Sequence, residues 1–214
     1  PHLEPQFCAS FGYKRAILLI PGLGATQALL FSLLDKNDTL IQDRLNHASL
    51  MEAGALSPAR MKRFKHNDVA HLASQLTVSE NALVVTEGVF SMDGDQAPLN
   101  EIAKQTQQHD AWLVVDDAHG IGVLGDYGAG SCAAAGVKPE LLVVTFGKAF
   151  GLSGAAILCS KEVGDYLTQF ARHHVYSTAI PPAQAYALNT ACRMIQSQQW
   201  RRDKLSELQA IYHE

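Results

Sequence analysis

A lysine among small residues, Thr145-Phe-Gly147-Lys148-Ala149-Phe-Gly151, follows the apolar run Leu141-Leu-Val-Val144. Such a run reads as a buried strand, and open α/β sheets gather ligands outside the carboxyl ends of their strands. A lysine amine forms a Schiff base when it is accessible and partly deprotonated. Gly147, Ala149 and Gly151 leave room for a flat ligand beside it. Upstream, a second run, Ala111-Trp-Leu-Val-Val115, ends in Asp116, Asp117, Ala118 and His119. Side chains alternate along a strand, so the two aspartates cannot face water alike and one points into the cleft. A carboxylate there can keep a pyridine nitrogen protonated, which makes the ring an electron sink. His119 can donate to the phenolic oxygen of the same ring. Lysine, aspartate and histidine together suggest pyridoxal phosphate chemistry.

Each motif has a plainer reading. A lysine in a glycine-rich turn is commonly a solvated loop residue, and Lys148 departs from that only through Asp116 and His119. A Walker phosphate loop is excluded, because Leu142 and Ala149 replace its first glycine and its metal-binding hydroxyl. Gly120-Ile-Gly122-Val-Leu-Gly125 matches GxGxxG, but polar residues separate it from the strand and a poor helix former follows, so it is rejected as a dinucleotide site. Pro21-Gly22-Leu23-Gly24-Ala-Thr26 is a better anion site, since it follows a strand and opens a helix. With Asp43 it also imitates a nicotinamide site, although Gln27 stands at the third glycine. His47, near a helix start, reads alone as a surface or satisfied core residue. The Asp93-Gly-Asp95 loop lacks EF-hand spacing, and His173-His174 has no metal-ligand partner at a recognisable spacing.

The elements that position these residues alternate. Strands are expected at 16–20, 39–41, 61–64, 83–86, 112–115 and 141–144, with 155–158 returning antiparallel. Helices are expected at 25–34, 48–55, to Leu76 from an Asn67-Asp68 cap, 99–108, 161–172, and 183–212 as one helix or two. This βαβ alternation predicts an α/β fold in three layers, a mostly parallel sheet covered by helices. With 214 residues, 17 basic and 21 acidic side chains and a net charge of -4, general attraction to nucleic acid is not expected. Every apolar stretch is broken by Gly, Pro or charge before it could span a bilayer. Cys8, Cys132, Cys159 and Cys192 show no CxxC spacing and read as reduced thiols in a cytoplasmic protein. The amino end, Pro1-His-Leu-Glu-Pro5, shows no signal-peptide pattern.

Three segments carry a family resemblance: Thr86-Glu-Gly-Val-Phe-Ser91-Met-Asp-Gly-Asp95, Val115-Asp-Asp-Ala-His-Gly120 and Thr145-Phe-Gly-Lys-Ala-Phe-Gly151. In this order they resemble the α-oxoamine synthases, pyridoxal-phosphate enzymes of the aspartate-aminotransferase fold type. Arg44-Leu-Asn-His-Ala-Ser-Leu50 and Tyr176-Ser-Thr-Ala-Ile-Pro-Pro-Ala-Gln-Ala185 look most like the member that serves biotin synthesis. The resemblance implies that Lys148 carries the cofactor and shuttles a proton, that Asp116 pairs with the ring nitrogen and that His119 bonds the phenolic oxygen. His47 and Ala118 would flank the ring, His47 also meeting substrate, and Ser91 would contact the cofactor. Thr145 would hold the phosphate with the amides of Gly22 and Leu23. Ser177 or Thr178 would reach the phosphate of a neighbouring subunit in a homodimer.

The implied reaction condenses L-alanine with a pimeloyl thioester, either pimeloyl-CoA or a pimeloyl-carrier protein, with loss of carbon dioxide. A glycine-using relative and a non-catalytic dimerising scaffold are the alternatives. Leu23 departs from the family, which usually has an aromatic residue there. Residues 1–214 read as the cofactor-binding large domain, truncated at both ends and without the carboxyl-terminal small domain.

Overall fold

A computed structural model describes residues 3–20 and 22–213. The apolar runs form one seven-stranded sheet from β1 (Arg15–Leu19), β2 (Thr39–Asp43), β3 (Arg60–Phe64), β4 (Ala82–Glu87), β5 (Trp112–Asp116), β6 (Leu141–Thr145) and β7 (Ala155–Cys159). Their order is β1-β7-β6-β5-β4-β2-β3, and every strand but β7 runs in one direction. The expected return of 155–158 is therefore antiparallel to the lysine strand, with Thr145 opposite Ala155.

Period-2 alternation divides the core cleanly. Ile41, Val84, Leu113, Val115, Leu142 and Val144 pack on one face. Leu40, Leu83, Val85, Val114, Leu141 and Val143 pack on the other. The first face is covered by α1 (Leu3–Phe11), α4 (Val69–Leu76), α5 (Leu99–Gln108) and α9 (Pro182–Ser197). The second is covered by α2 (Gly22–Leu33), α3 (Ala48–Leu56) and α7 (Lys161–Phe170). Both faces need a helical cover because neighbouring parallel strands are apolar on both sides.

Local signals fix several of these ends. Asp68 caps α4 by accepting from the His71 amide at 2.8 Å, and Ser160 caps α7 by accepting from Val163. Pro182 opens α9, where its missing N–H costs nothing. The helix expected over 161–172 is shorter: Ala171 leaves the helical region at ψ 96 and turns into the core, and α8 (Arg172–Val175) follows. The carboxyl-terminal stretch is two helices, α9 and α10 (Gln199–His213). α1 had no counterpart in the sequence pattern. It is held by Glu4, which accepts from the Arg15 side chain at 2.7 Å and from the Ala16 amide, and by Phe7, which packs on Phe146 and Phe150. Between β5 and β6 lie only a single 3₁₀ turn at Asp126–Gly128 and the short helix α6 (Ser131–Ala134).

Candidate active site

The carboxyl ends of β4, β5 and β6 open onto a cavity of about 530 Å³ lined by His47, Glu87, Asp116, Ala118, Thr145 and Lys148, with His119, Thr26 and Ser49 among its other walls. Each residue arrives by a different local device. Asp116 is the last residue of β5 and Thr145 the last of β6. Lys148 sits in a tight turn closed by Gly151 N–H to the Lys148 carbonyl and by Leu152 N–H to the Phe146 carbonyl. Gly151, at φ 64, supplies a conformation that a side chain would disfavour. His47 is the N-cap of α3: its Nδ1 accepts from the Ser49 amide at 3.2 Å, and its own amide donates to the Glu87 carboxylate.

The two adjacent aspartates separate as strand alternation requires. Asp116 faces the cavity and accepts from the Ala118 amide at 3.1 Å. Asp117 turns away and is fully buried, accepting from Ser131 N–H at 2.8 Å and Ser131 Oγ at 2.5 Å. A Cβ at Gly120 or Gly130 would overlap the Asp117 carboxylate. The glycines that resemble a dinucleotide fingerprint thus include one spent on packing around a buried acid, and Gly122 and Gly125 have positive φ in the turns that follow.

Burial dominates the electrostatics. It pushes Asp116 up to about 6, against the Ala118 amide, His47 and Lys148, which favour the ionised form. It raises Asp117 to about 7 against its Ser131 bonds. Glu87 also rises to about 7, through burial and the neighbouring Asp116, although the His47 amide opposes this. Burial, then Lys148 and His47, push His119 below the ordinary histidine value.

In an unfolded chain carboxyl groups titrate near 4, so the folded chain holds extra protons between about pH 4 and pH 7. The stability contributed by the three acids is fully present below their unfolded values and lost as pH rises through 6 to 7. His119 works the other way, but one group opposes three. Thermal unfolding of the cofactor-free chain is expected at a lower temperature near pH 8 than near pH 5. A midpoint that climbs steadily over that interval would contradict this account.

The cavity gathers Lys148, Asp116, His119, His47, Ala118 and Thr145. Ser91 stands on an exposed turn after β4, and Ser177 and Thr178 are exposed beyond α8. None of these three lines the cavity within the chain. α2 begins at Gly22 rather than at Ala25, where the helix is expected, so the glycines read as a turn lie in its first turn; Pro21 and the surroundings of the Gly22 and Leu23 side chains lie outside the described residues. Glu87 was not among the expected site residues. It is brought beside Asp116 by the β4–β5 register, which pairs the two positions directly. Asp95, from the loop that imitates a calcium site, instead bonds His66 and Asn67. His174 Nδ1 lies against the Leu18 carbonyl and His173 packs near Phe31.

Two features fit pyridoxal phosphate in particular. Thr145 Oγ1 is buried without a hydrogen-bond partner in the described structure, as a hydroxyl awaiting an external acceptor would be. Asp116 is a buried carboxylate whose only hydrogen bond among the described residues comes from Ala118, leaving it able to meet a cationic ring nitrogen.

The family described as Aminotransferase class I and II matches residues 3–212. An 8-amino-7-oxononanoate synthase of Vibrio atlanticus is 71% identical over 213 residues, which is 100% of this chain and 53% of that protein. The protein of the same name from Vibrio cholerae serotype O1 is 69% identical over 212 residues, 99% of this chain and 55% of its own length. Among solved structures, a serine palmitoyltransferase from S. paucimobilis, with a bound PLP–myriocin aldimine, matches with a TM-score of 0.92 at 28% identity, covering 96% of this chain and 53% of that one. An 8-amino-7-oxononanoate synthase from Francisella tularensis matches with a TM-score of 0.87 at 32% identity, over 96% of this chain and 61% of that one. The chain spans about half the length of the curated relatives it matches.

Proposed function

Because the chain belongs to the class I and II aminotransferase family, we propose that it is the cofactor-binding large domain of a pyridoxal-phosphate-dependent acyltransferase that makes 8-amino-7-oxononanoate for biotin synthesis. The observation that carries this reading is the convergence of Lys148, Asp116, His119, His47 and Thr145 on one cavity. The reaction joins the α-carbon of L-alanine to the carbonyl carbon of a pimeloyl thioester. The alanine carboxyl group leaves as carbon dioxide and the thioester sulfur as a thiol.

When bound, pyridoxal phosphate supplies a conjugated cationic ring that stabilises negative charge on the amino acid's α-carbon. The protein's residues supply the rest. Asp116 holds a proton on the ring nitrogen, and its burial strengthens that pairing. Thr145 Oγ1 would donate to the phosphate, helped by the backbone amides at the start of α2 around Gly22 and Leu23. His119, kept neutral by its lowered pKa, donates one ring N–H to the phenolic oxygen. His47 and Ala118, both in the cavity wall, would flank the ring, and His47 is oriented by the Ser49 amide. Lys148 Nζ holds the cofactor and then takes and returns the substrate's α-proton. Ser91 completes the cofactor contacts, and Thr178 or Ser177 serves a partner subunit of a cytoplasmic homodimer. No helix among the described residues is long and apolar enough to cross a membrane.

The test has two tiers. Titration with pyridoxal phosphate should produce visible absorbance, and the loaded chain should convert alanine and pimeloyl thioester to the amino-ketone. Faster turnover of glycine with another acyl thioester would move the assignment to a glycine-using relative. Cofactor binding without turnover of any pair would support the scaffold reading.

A further inference from the structure

His66, which no part of the proposed chemistry uses, lies between two carboxylates. Its Nδ1 is 2.9 Å from Asp43 Oδ1, and its Nε2 is 2.5 Å from Asp95 Oδ2. A neutral imidazole has one N–H and can donate to only one of them, so this geometry calls for the imidazolium, a donor at both nitrogens. The Asp43 side chain is fully buried. It also accepts from the Leu45 amide at 2.8 Å and the Asn67 amide at 2.9 Å, which folds the turn leading to His47. Asp95 belongs to the loop that carries Ser91. That loop is closed by Phe90 N–H to the Asp95 carbonyl and by Gly94 N–H to the Phe90 carbonyl. Asn67 bonds Asp95 and the Gln96 carbonyl, and the rings of His66 and Phe90 meet nearly at right angles with centroids 4.5 Å apart.

We propose that His66 is a positioning residue that ties the His47 turn to the Ser91 loop, so that two of the expected cofactor contacts are held as one unit. The assignment of His47 and Ser91 to the cofactor rests on the function proposed above; the tie itself does not. Asp43 from β2 and Asp95 from the loop are the charged groups that meet the ring, with neutral Asn67 and Phe90 beside it. Burial opposes the imidazolium, but the two carboxylates outweigh it and raise the His66 pKa. The tie is therefore complete below the ordinary histidine value and is lost as pH rises through the higher folded one.

Amide hydrogen exchange on the cofactor-free chain tests the tie. H66Q should release Leu45 and Asn67 together with Phe90 and Gly94, whereas D95N should release Phe90 and Gly94 and spare Leu45. Wild-type protection at all four should weaken together as pH rises, after correction for the intrinsic exchange rate. Pyridoxal phosphate titration tests the consequence: H66Q should bind about ten-fold more weakly than wild type near pH 6.5, the effect of one hydrogen bond to a charged group, and the difference should shrink at higher pH. The proposal is overturned if H66Q leaves either turn as protected as in wild type, or if its affinity matches wild type at every pH. Should H66Q not fold, D95N and the wild-type pH series decide by the same amides. A wild-type chain that binds no pyridoxal phosphate would overturn the proposed function and the cofactor role of His66, while exchange would still decide the tie.

Discussion

Replacing Lys148 with alanine should abolish the visible absorbance expected of the wild-type chain with pyridoxal phosphate, and should remove the covalent adduct that borohydride would fix on the protein. Lys148 is exposed, and no hydrogen bond among the described residues restrains its side chain. The variant should therefore unfold within about 0.5 kcal/mol of wild type, the usual span for surface substitutions. The amine is one wall of a cavity whose others are Asp116, His119, His47 and Thr145. Removing it costs both the covalent hold and the base that moves the α-proton. Turnover should drop by on the order of 10²–10⁴-fold from the acid–base role alone. Mass mapping of the reduced wild-type protein should place the label on Lys148. A label on another lysine, or an absorbance band that survives in K148A, would remove Lys148 from the chemistry.

Much of this arrangement is visible in the chain before it folds, because it depends on local pattern. Most strands announce themselves as short aliphatic runs, β3 with its three basic residues being the exception, and alternation alone separates Asp116 from Asp117. Asp68 and Pro182 mark helix starts by local chemistry. What escapes depends on register or distance. Glu87 looks like any acid at a strand end until β4 pairs with β5 and sets it against Asp116. α1 has only Leu3 and Phe7 as buried anchors, and the aromatic rings that receive Phe7 come from the turn after β6, distant in sequence. His66 has partners 23 and 29 positions away, a spacing that no periodicity encodes. Thr178, expected to serve a neighbouring subunit, has no reason to enter the cavity of its own chain.

Asp116→Asn should make the cofactor-free chain more stable and the loaded chain far less active. The two effects share one cause, which is a buried carboxylate at the cavity floor. Burial holds Asp116 at about 6, so near pH 8 the folded chain retains an ionised group that water would solvate better. Asparagine keeps an oxygen to accept the Ala118 amide without the charge, and the expected gain is roughly 1–3 kcal/mol. The gain should vanish near pH 4, where Asp116 itself is protonated in the folded state and the variant offers no advantage. Activity moves in the opposite direction. A neutral amide cannot hold the ring nitrogen in its cationic form, and loss of such a preorganised charge costs on the order of 10²–10³ in turnover. Lys148 and Thr145 remain, so the cofactor should still bind, with weaker affinity. Measuring both properties separates this account from its rivals: a merely structural Asp116 would lose stability and activity together, and a bystander would lose neither.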